Sequence, residues 1–325
     1  MPQPTDTQKA KWTKWVQTLR RSCTGPHPGL LLPSFFVIGP PRTGTSWLYQ
    51  TLKERTVLPA LTKETRFFDA HFELGLDWYW AHFESPNENR RLGEVAPIYF
   101  ASREAPRRIK ELVPNAKIVC IFRHPVERIL SLYRVKRAYG IIPWSFEEAI
   151  LRDPELTETS KYATYLKSWQ HEFGVDRVLP MLYDDLRDSP QDFVDKLVDF
   201  IGVPRFRLSC EEMGSVHASE AMTHPRSYYC TRSATLLAEW LKVRHFGHLV
   251  ATVRSSPISK LLLGGGRAFT GLSSKAALTI QELFQYEVEE LEALVQRDLS
   301  AWKTLRVGLP SLSPTEVDDE SADAA

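Results

Sequence analysis

The chain has 325 residues, 43% hydrophobic and 25% charged, with a formal net charge of +1. This is the composition of an ordinary soluble globular protein, long enough for one large α/β domain or two ordinary ones. The near-zero charge excludes a global attraction to nucleic acid, so any polyanion site has to be local.

Residues 1–29 are polar and carry Trp12 and Trp15 in the basic stretch KWTKWVQTLRR. A helix packing its tryptophans on the domain is the simplest reading; an interfacial helix is the other, and with it peripheral membrane contact. The apolar runs SFFVIG (34–39), NAKIVCIF (115–122) and RVLPMLY (177–183) are separated by stretches of helical period. They read as buried parallel strands joined by helices. Helices are expected from Thr45 to about Arg55, over about Val126–Arg137, after an N-cap at Ser189 with Pro190 first and Gly202 past the end, and over about 276–299. Residues 205–275 give no strong strand signal, only scattered basic residues and a glycine turn at 264–266. The end, PTEVDDESADAA, is acidic without an apolar face and reads as a disordered tail.

The organisation expected is therefore an N-terminal segment (1–29), one α/β domain over 30–305 and a tail over 306–325. Its core is a P-loop-like parallel β-sheet flanked by helices on both faces. Cys23, Cys120, Cys210 and Cys230 are scattered without a CxxC pair, which suits a reducing cytosol, and Cys120 reads as a core thiol. A polar N-terminus and the lack of any apolar run of about 18 residues point to neither a signal peptide nor a spanning helix, so a cytoplasmic location is expected.

The segment Gly39-Pro40-Pro41-Arg42-Thr43-Gly44-Thr45-Ser46 follows the first strand and opens a helix. Two glycines five apart let the backbone wrap an anion, and a helix N-terminus adds amide donors and its dipole. The nucleotide-hydrolase loop needs lysine where Thr45 stands, so the positive charge comes from Arg42 instead. The second strong strand ends in Arg123-His124-Pro125 rather than in a carboxylate able to hold Mg²⁺. The loop thus suits a phosphate-like group without a metal. Arg123, with Ser131 on the next helix, offers a second anion site, although an arginine there also suits capping of carbonyls.

FFVIGPPRTGTSWLYQTL resembles the 5′-phosphosulfate loop of the sulfotransferase family, and CIFRHPVERILSLY resembles its 3′-phosphate motif. LTKETRFFDAHFELGLDWYWAHF and GEVAPIYF are similar to the branch that contains heparan-sulfate and related bacterial sulfotransferases. The likeness covers about residues 34–204, with a weaker echo at 276–302.

The resemblance implies transfer of a sulfuryl group from 3′-phosphoadenosine 5′-phosphosulfate (PAPS) to an acceptor hydroxyl or amine, leaving adenosine 3′,5′-bisphosphate (PAP). It implies that Arg42, Gly44, Thr45 and Ser46 hold the 5′-phosphosulfate, with Thr43 and Trp47 in the same donor-binding set. Arg123 and Ser131 would bind the 3′-phosphate. Glu64, in Lys63-Glu64-Thr65-Arg66-Phe67-Phe68, would be the general base, with Arg42 the catalytic cation. Two departures stand out. Arg42 replaces the lysine usual in the heparan-type loop, and Val95 stands where such members have lysine.

The chemistry agrees. A sulfuryl group carries less charge than a phosphoryl group, so its loose in-line transfer needs no metal, only stabilisation of the leaving phosphate. No metal site is expected: the HxxH spacing at His245 and His248 has no completing ligand. From spacing alone Glu64 is equally a surface ion-pair partner of Lys63 or Arg66, and Glu94 and His124 are the other proton acceptors near strand ends. A P-loop nucleotide kinase and an inactive nucleotide-binding module on the same scaffold are the competing functions. The acceptor is open among small molecules, glycans and lipids; no nucleic-acid partner is expected.

Overall fold

The computed structural model describes residues 32–83, 90–214, 223–225, 227–243, 265–269 and 272–304. The tryptophan-bearing N-terminal stretch, the acidic tail, Arg226 and the histidines His217, His245 and His248 lie outside the described residues. The chain divides into two compact units, one of Met1–Phe122 with Thr164–Val216 and the other of Arg123–Ala163 with His217–Ala325. No helix among the described residues is long and apolar enough to cross a membrane.

The first unit is built on four parallel strands: β1 (Phe35–Val37), β2 (Gly93–Val95), β3 (Lys117–Phe122) and β4 (Val178–Leu182), in the spatial order β2-β1-β3-β4. Successive side chains of a strand point to opposite faces, and here both faces are buried, which is why these runs are apolar without alternation. On one face Phe35, Val37, Val119 and Ile121 join a core with Leu48 and Leu52 of the helix Thr45–Leu52 and Val194, Leu197 and Ile201 of the helix Pro190–Ile201. On the other, Phe36 meets Phe68 edge-on at 5.5 Å and Phe122 meets Phe100 at 5.7 Å. Trp169, with no exposed surface, covers that side and donates its indole N–H to the carbonyl of Phe100.

Local signals set the ends of these elements. Pro190 begins its helix after Ser189, and Gly202 closes it in the left-handed region at φ 76°. β2 is only three residues long and carries a glutamate in its centre, so it has no apolar run to announce it.

In the second unit the helix Pro125–Ala138 packs on the helix Ser274–Val295 through a core that includes Val126, Ile129, Tyr133, Ile280 and Phe284. Arg128 is wholly buried on the first of these helices and donates to the Leu156 carbonyl and the Ser160 hydroxyl. An antiparallel pair, β5 (Thr223–Pro225) and β6 (Gly265–Ala268), lies in the stretch without a strand signal, with part of the expected glycine turn inside β6.

The first loop leaves β1 at a point of close backbone contact. A Cβ placed on Gly39 would stand 2.4 Å from the backbone nitrogen of Ile121, a group held in the sheet and unable to yield. Gly39→Ala should therefore overpack this crossing and cost about 1–3 kcal/mol. Urea unfolding would show a lower midpoint with an unchanged slope; an unshifted midpoint would mean that the strands separate freely here.

Candidate active site

All four strands of the sheet are parallel, so their C-terminal ends share one edge, the edge at which open α/β folds bind ligands. The loop after β1 enters the helix Thr45–Leu52 through two left-handed residues, Arg42 at φ 76° and Gly44 at φ 86°. At Gly44 any side chain would be strained by the positive φ, and a Cβ would lie 2.6 Å from Leu186 Cδ2, so that leucine would have to shift. For Arg42 the conformation carries strain of about 1–2 kcal/mol, the kind of cost that collects at binding sites. Turns of this kind form concavities lined by backbone N–H groups. Gly44 is the N-cap and no side chain caps the helix, so its first amides are left for an anion.

The loop side chains divide their work. Thr43 is fully buried and donates its hydroxyl to the Pro40 carbonyl at 2.8 Å, which braces the turn. Thr45 is nearly buried and Ser46 is exposed at the head of the helix. Trp47 packs in the core, and its indole N–H donates to the carbonyl of Glu212 at 2.7 Å. The residues expected to bind the donor, Arg42, Thr43, Gly44, Thr45, Ser46 and Trp47, thus fall on one turn and the start of one helix, with Thr43 and Trp47 on its packed side.

The segment 62–68 runs back to this loop. Lys63 Nζ lies 3.3 Å from Ser46 Oγ and 3.1 Å from Glu64 Oε1, which brings Glu64 to the loop mouth by way of an ammonium group. Burial lowers the Lys63 pKa, the neighbouring Glu64 raises it, and Arg42 adds a lowering repulsion. The ion pair with Lys63 that spacing allowed is therefore present, whereas Arg66 turns to Asp69 at 2.7 Å.

What holds this segment is Glu94, the central residue of β2. Its carboxyl has no exposed surface. Oε1 accepts from the backbone N–H of Thr65 at 3.0 Å, the Thr65 hydroxyl at 2.7 Å and the Tyr99 hydroxyl at 3.2 Å, and Oε2 accepts from the Tyr79 hydroxyl at 2.8 Å. Such burial removes Glu94 from any acceptor, so the alternative role of proton acceptor does not suit it. Burial also pushes its pKa up to about 7, against the lowering effect of the bonds from Thr65, Tyr79 and Tyr99. Sequence reading missed this clamp; a lone acidic residue in a short segment gives no sign of being inside.

The second anion motif belongs to the other unit. Arg123 follows the last residue of β3, its Nε donates to Glu127 at 3.2 Å and its carbonyl accepts from Tyr162. Ser131 is half-buried on the helix Pro125–Ala138. His124 is 4% exposed and packs beside Trp302, with ring centroids 6.1 Å apart. Val95, where the resemblance to heparan-type members led to the expectation of a lysine, sits in the core with no exposed surface. Among the described residues no group of three or more His, Cys, Asp or Glu is placed to hold a metal.

A sequence profile of the sulfotransferase domain matches residues 32–248. The chain is 32% identical to the human bifunctional heparan sulfate N-deacetylase/N-sulfotransferase 3, over 55% of this chain and 23% of that protein. It is 31% identical to the mouse bifunctional heparan sulfate N-deacetylase/N-sulfotransferase 4, over the same shares. The chain thus spans about a quarter of the length of these relatives. In three dimensions it matches the crystal structure of a sulfotransferase from Alicyclobacillus acidocaldarius with a TM-score of 0.61 and 20% identity, over 85% of this chain and 100% of that one, a likeness of fold.

The raised Glu94 pKa has a consequence for stability with a definite sign. Between its unfolded value of 4.5 and its folded value of about 7, the folded protein keeps a proton that the unfolded chain has released. Its contribution is complete below the lower value and is lost as pH rises through the upper one, about 3 kcal/mol in all. Glu94→Gln is neutral at every pH. Unfolding free energies of the two proteins should converge or cross as pH rises from 5 to 8, the wild type losing ground; parallel curves would contradict the buried carboxyl.

Proposed function

The chain belongs to the sulfotransferase family, and from that premise we propose that it moves a sulfuryl group from PAPS to an acceptor hydroxyl or amine. The observation that carries the reading is the join between the loop and the candidate base: Ser46, Lys63 and Glu64 in one hydrogen-bonded chain at the loop mouth. A donor bound by its 5′ end in the loop would present its sulfuryl group beside the Glu64 carboxylate.

Each residue then has a role. Arg42, the backbone amides at Gly44 and Thr45 and the hydroxyls of Thr45 and Ser46 hold the 5′-phosphosulfate and stabilise the charge left on the departing phosphate. Arg123 and Ser131 hold the 3′-phosphate, which selects PAPS over its precursor lacking that group. Glu64 takes the acceptor's proton as the new oxygen–sulfur or nitrogen–sulfur bond forms. PAPS itself supplies a good leaving group, so the demand on the protein is positioning and charge stabilisation.

Metal independence is part of the proposal. It is supported by the residues: Thr45 in place of the loop lysine, and Arg123-His124-Pro125 where a magnesium-binding carboxylate would follow β3. The relatives are named for heparan sulfate N-sulfation, which makes amine- and hydroxyl-bearing glycans the first acceptors to test. A cytoplasmic setting is proposed on chemistry alone, since the described cysteines Cys120, Cys210 and Cys230 are free thiols and suit a reducing compartment.

Glu64→Gln keeps size and polarity but removes basicity. Turnover with a transferring acceptor should fall about 10²–10⁴-fold, while PAP affinity stays within about twofold. Single-turnover rates with labelled PAPS would check this; an unaltered chemical step in the variant contradicts the assignment of Glu64 as base.

A further inference from the structure

One cation at the loop mouth has no part in the roles given so far. Lys63 is three-quarters buried, and its ammonium reaches two groups at once, Ser46 Oγ at 3.3 Å and Glu64 Oε1 at 3.1 Å. The first of these belongs to the donor loop and the second is the proposed base. A partly exposed ion pair between neighbours in sequence contributes little to a fold, about 0–1 kcal/mol, and has no need to reach back to a residue seventeen positions earlier.

The segment that carries Lys63 is also held too firmly for chance contact. Thr65, two residues on, is fixed by its backbone and its hydroxyl to the buried carboxyl of Glu94. Thr62, one residue before, donates its hydroxyl to the Glu64 carbonyl at 3.2 Å. The amine is therefore delivered to the loop by a braced turn. The loop's own cation, Arg42, is a planar fork on a strained backbone, suited to gripping a phosphate rather than following a group in motion. A compact ammonium on a flexible stem has the opposite character, and it offers three donors, of which Ser46 and Glu64 take two.

We propose that Lys63 is a catalytic residue: its ammonium contacts the sulfuryl group of the donor as that group passes toward the acceptor held by Glu64. The inference rests on the donor reading above. In the step, the acceptor's oxygen or nitrogen forms a bond to sulfur and its proton goes to the Glu64 carboxylate. The bond from sulfur to the bridging oxygen breaks, and its electron pair leaves with the 5′-phosphate. Lys63 stays protonated throughout. It exchanges its contact with Ser46 for one to a sulfuryl oxygen, and it keeps Glu64 oriented until the proton arrives.

This role separates PAPS from PAP, because PAP has no sulfuryl group for Lys63 to touch. Calorimetric titration of wild type, Lys63→Ala and Lys63→Arg with each nucleotide needs no acceptor. Loss of one charge-assisted contact should weaken PAPS about 10–100-fold in Lys63→Ala, leave PAP within about twofold, and be largely restored in Lys63→Arg. Equal weakening of both nucleotides, or no change in either, overturns the role of Lys63 while leaving the donor reading intact. Wild-type protein that binds neither nucleotide overturns the donor reading and this role with it.

Discussion

The site depends on a carboxyl group that no substrate can touch. Burying Glu94 in β2 removes it from water, a change that would cost several kcal/mol if left uncompensated. The hydrogen bonds from Thr65, Tyr79 and Tyr99 offset part of that penalty, and burial still leaves the pKa raised to about 7. What the arrangement achieves is positional. β2 lies beside β1 at the sheet edge, so tying Thr65 to β2 brings the chain back to the loop that β1 opens. Without that tie, Lys63 and Glu64 would stand on an irregular segment with one fewer anchor beside the loop.

The loop shows a similar exchange of local cost for placement. A left-handed arginine is strained and Gly44 lies close against Leu186, yet together they turn the backbone into the kind of concavity that suits an anion at the start of a helix. Thr43 commits its hydroxyl to Pro40 and Trp47 commits its indole to Glu212, so the turn is braced from within. The cations come from separate elements, Arg42 in the turn and Lys63 from the returning segment, in place of a single loop lysine. Val95, on β2 beside Glu94, contributes packing to the core and no charge to the loop.

Much of this was legible in the amino-acid sequence, and the reason lies in what local chemistry can encode. β1, β3 and β4 are continuous apolar runs because both sheet faces are covered, and the helix Pro190–Ile201 carries its start and stop signals in Ser189, Pro190 and Gly202. The turn between β1 and the helix Thr45–Leu52 follows from its glycines. β2, β5 and β6 were not legible: unlike the equally short β1, none lies in an apolar run, and β2 hides a glutamate. Nor does the sequence tell that Lys63 meets Ser46, or that Glu94 is inside, since both depend on chain paths between segments far apart. Arg66 illustrates the same limit, because by spacing it was as good a partner for Glu64 as Lys63, and only the fold turns it to Asp69.

The central claim is that the loop after β1 is a metal-free site for a 3′-phosphorylated adenosine nucleotide. Calorimetric titration of the wild-type protein with PAP, with adenosine 5′-phosphate and with ATP, each in EDTA and again in Mg²⁺, tests it directly. The account predicts that PAP binds at least about tenfold more tightly than adenosine 5′-phosphate, the worth of one charge-assisted phosphate contact. PAP should also bind with the same affinity in EDTA and in Mg²⁺, and more tightly than ATP. Binding that requires Mg²⁺, or a preference for ATP over PAP, would contradict it and move the protein to the phosphoryl-transfer class.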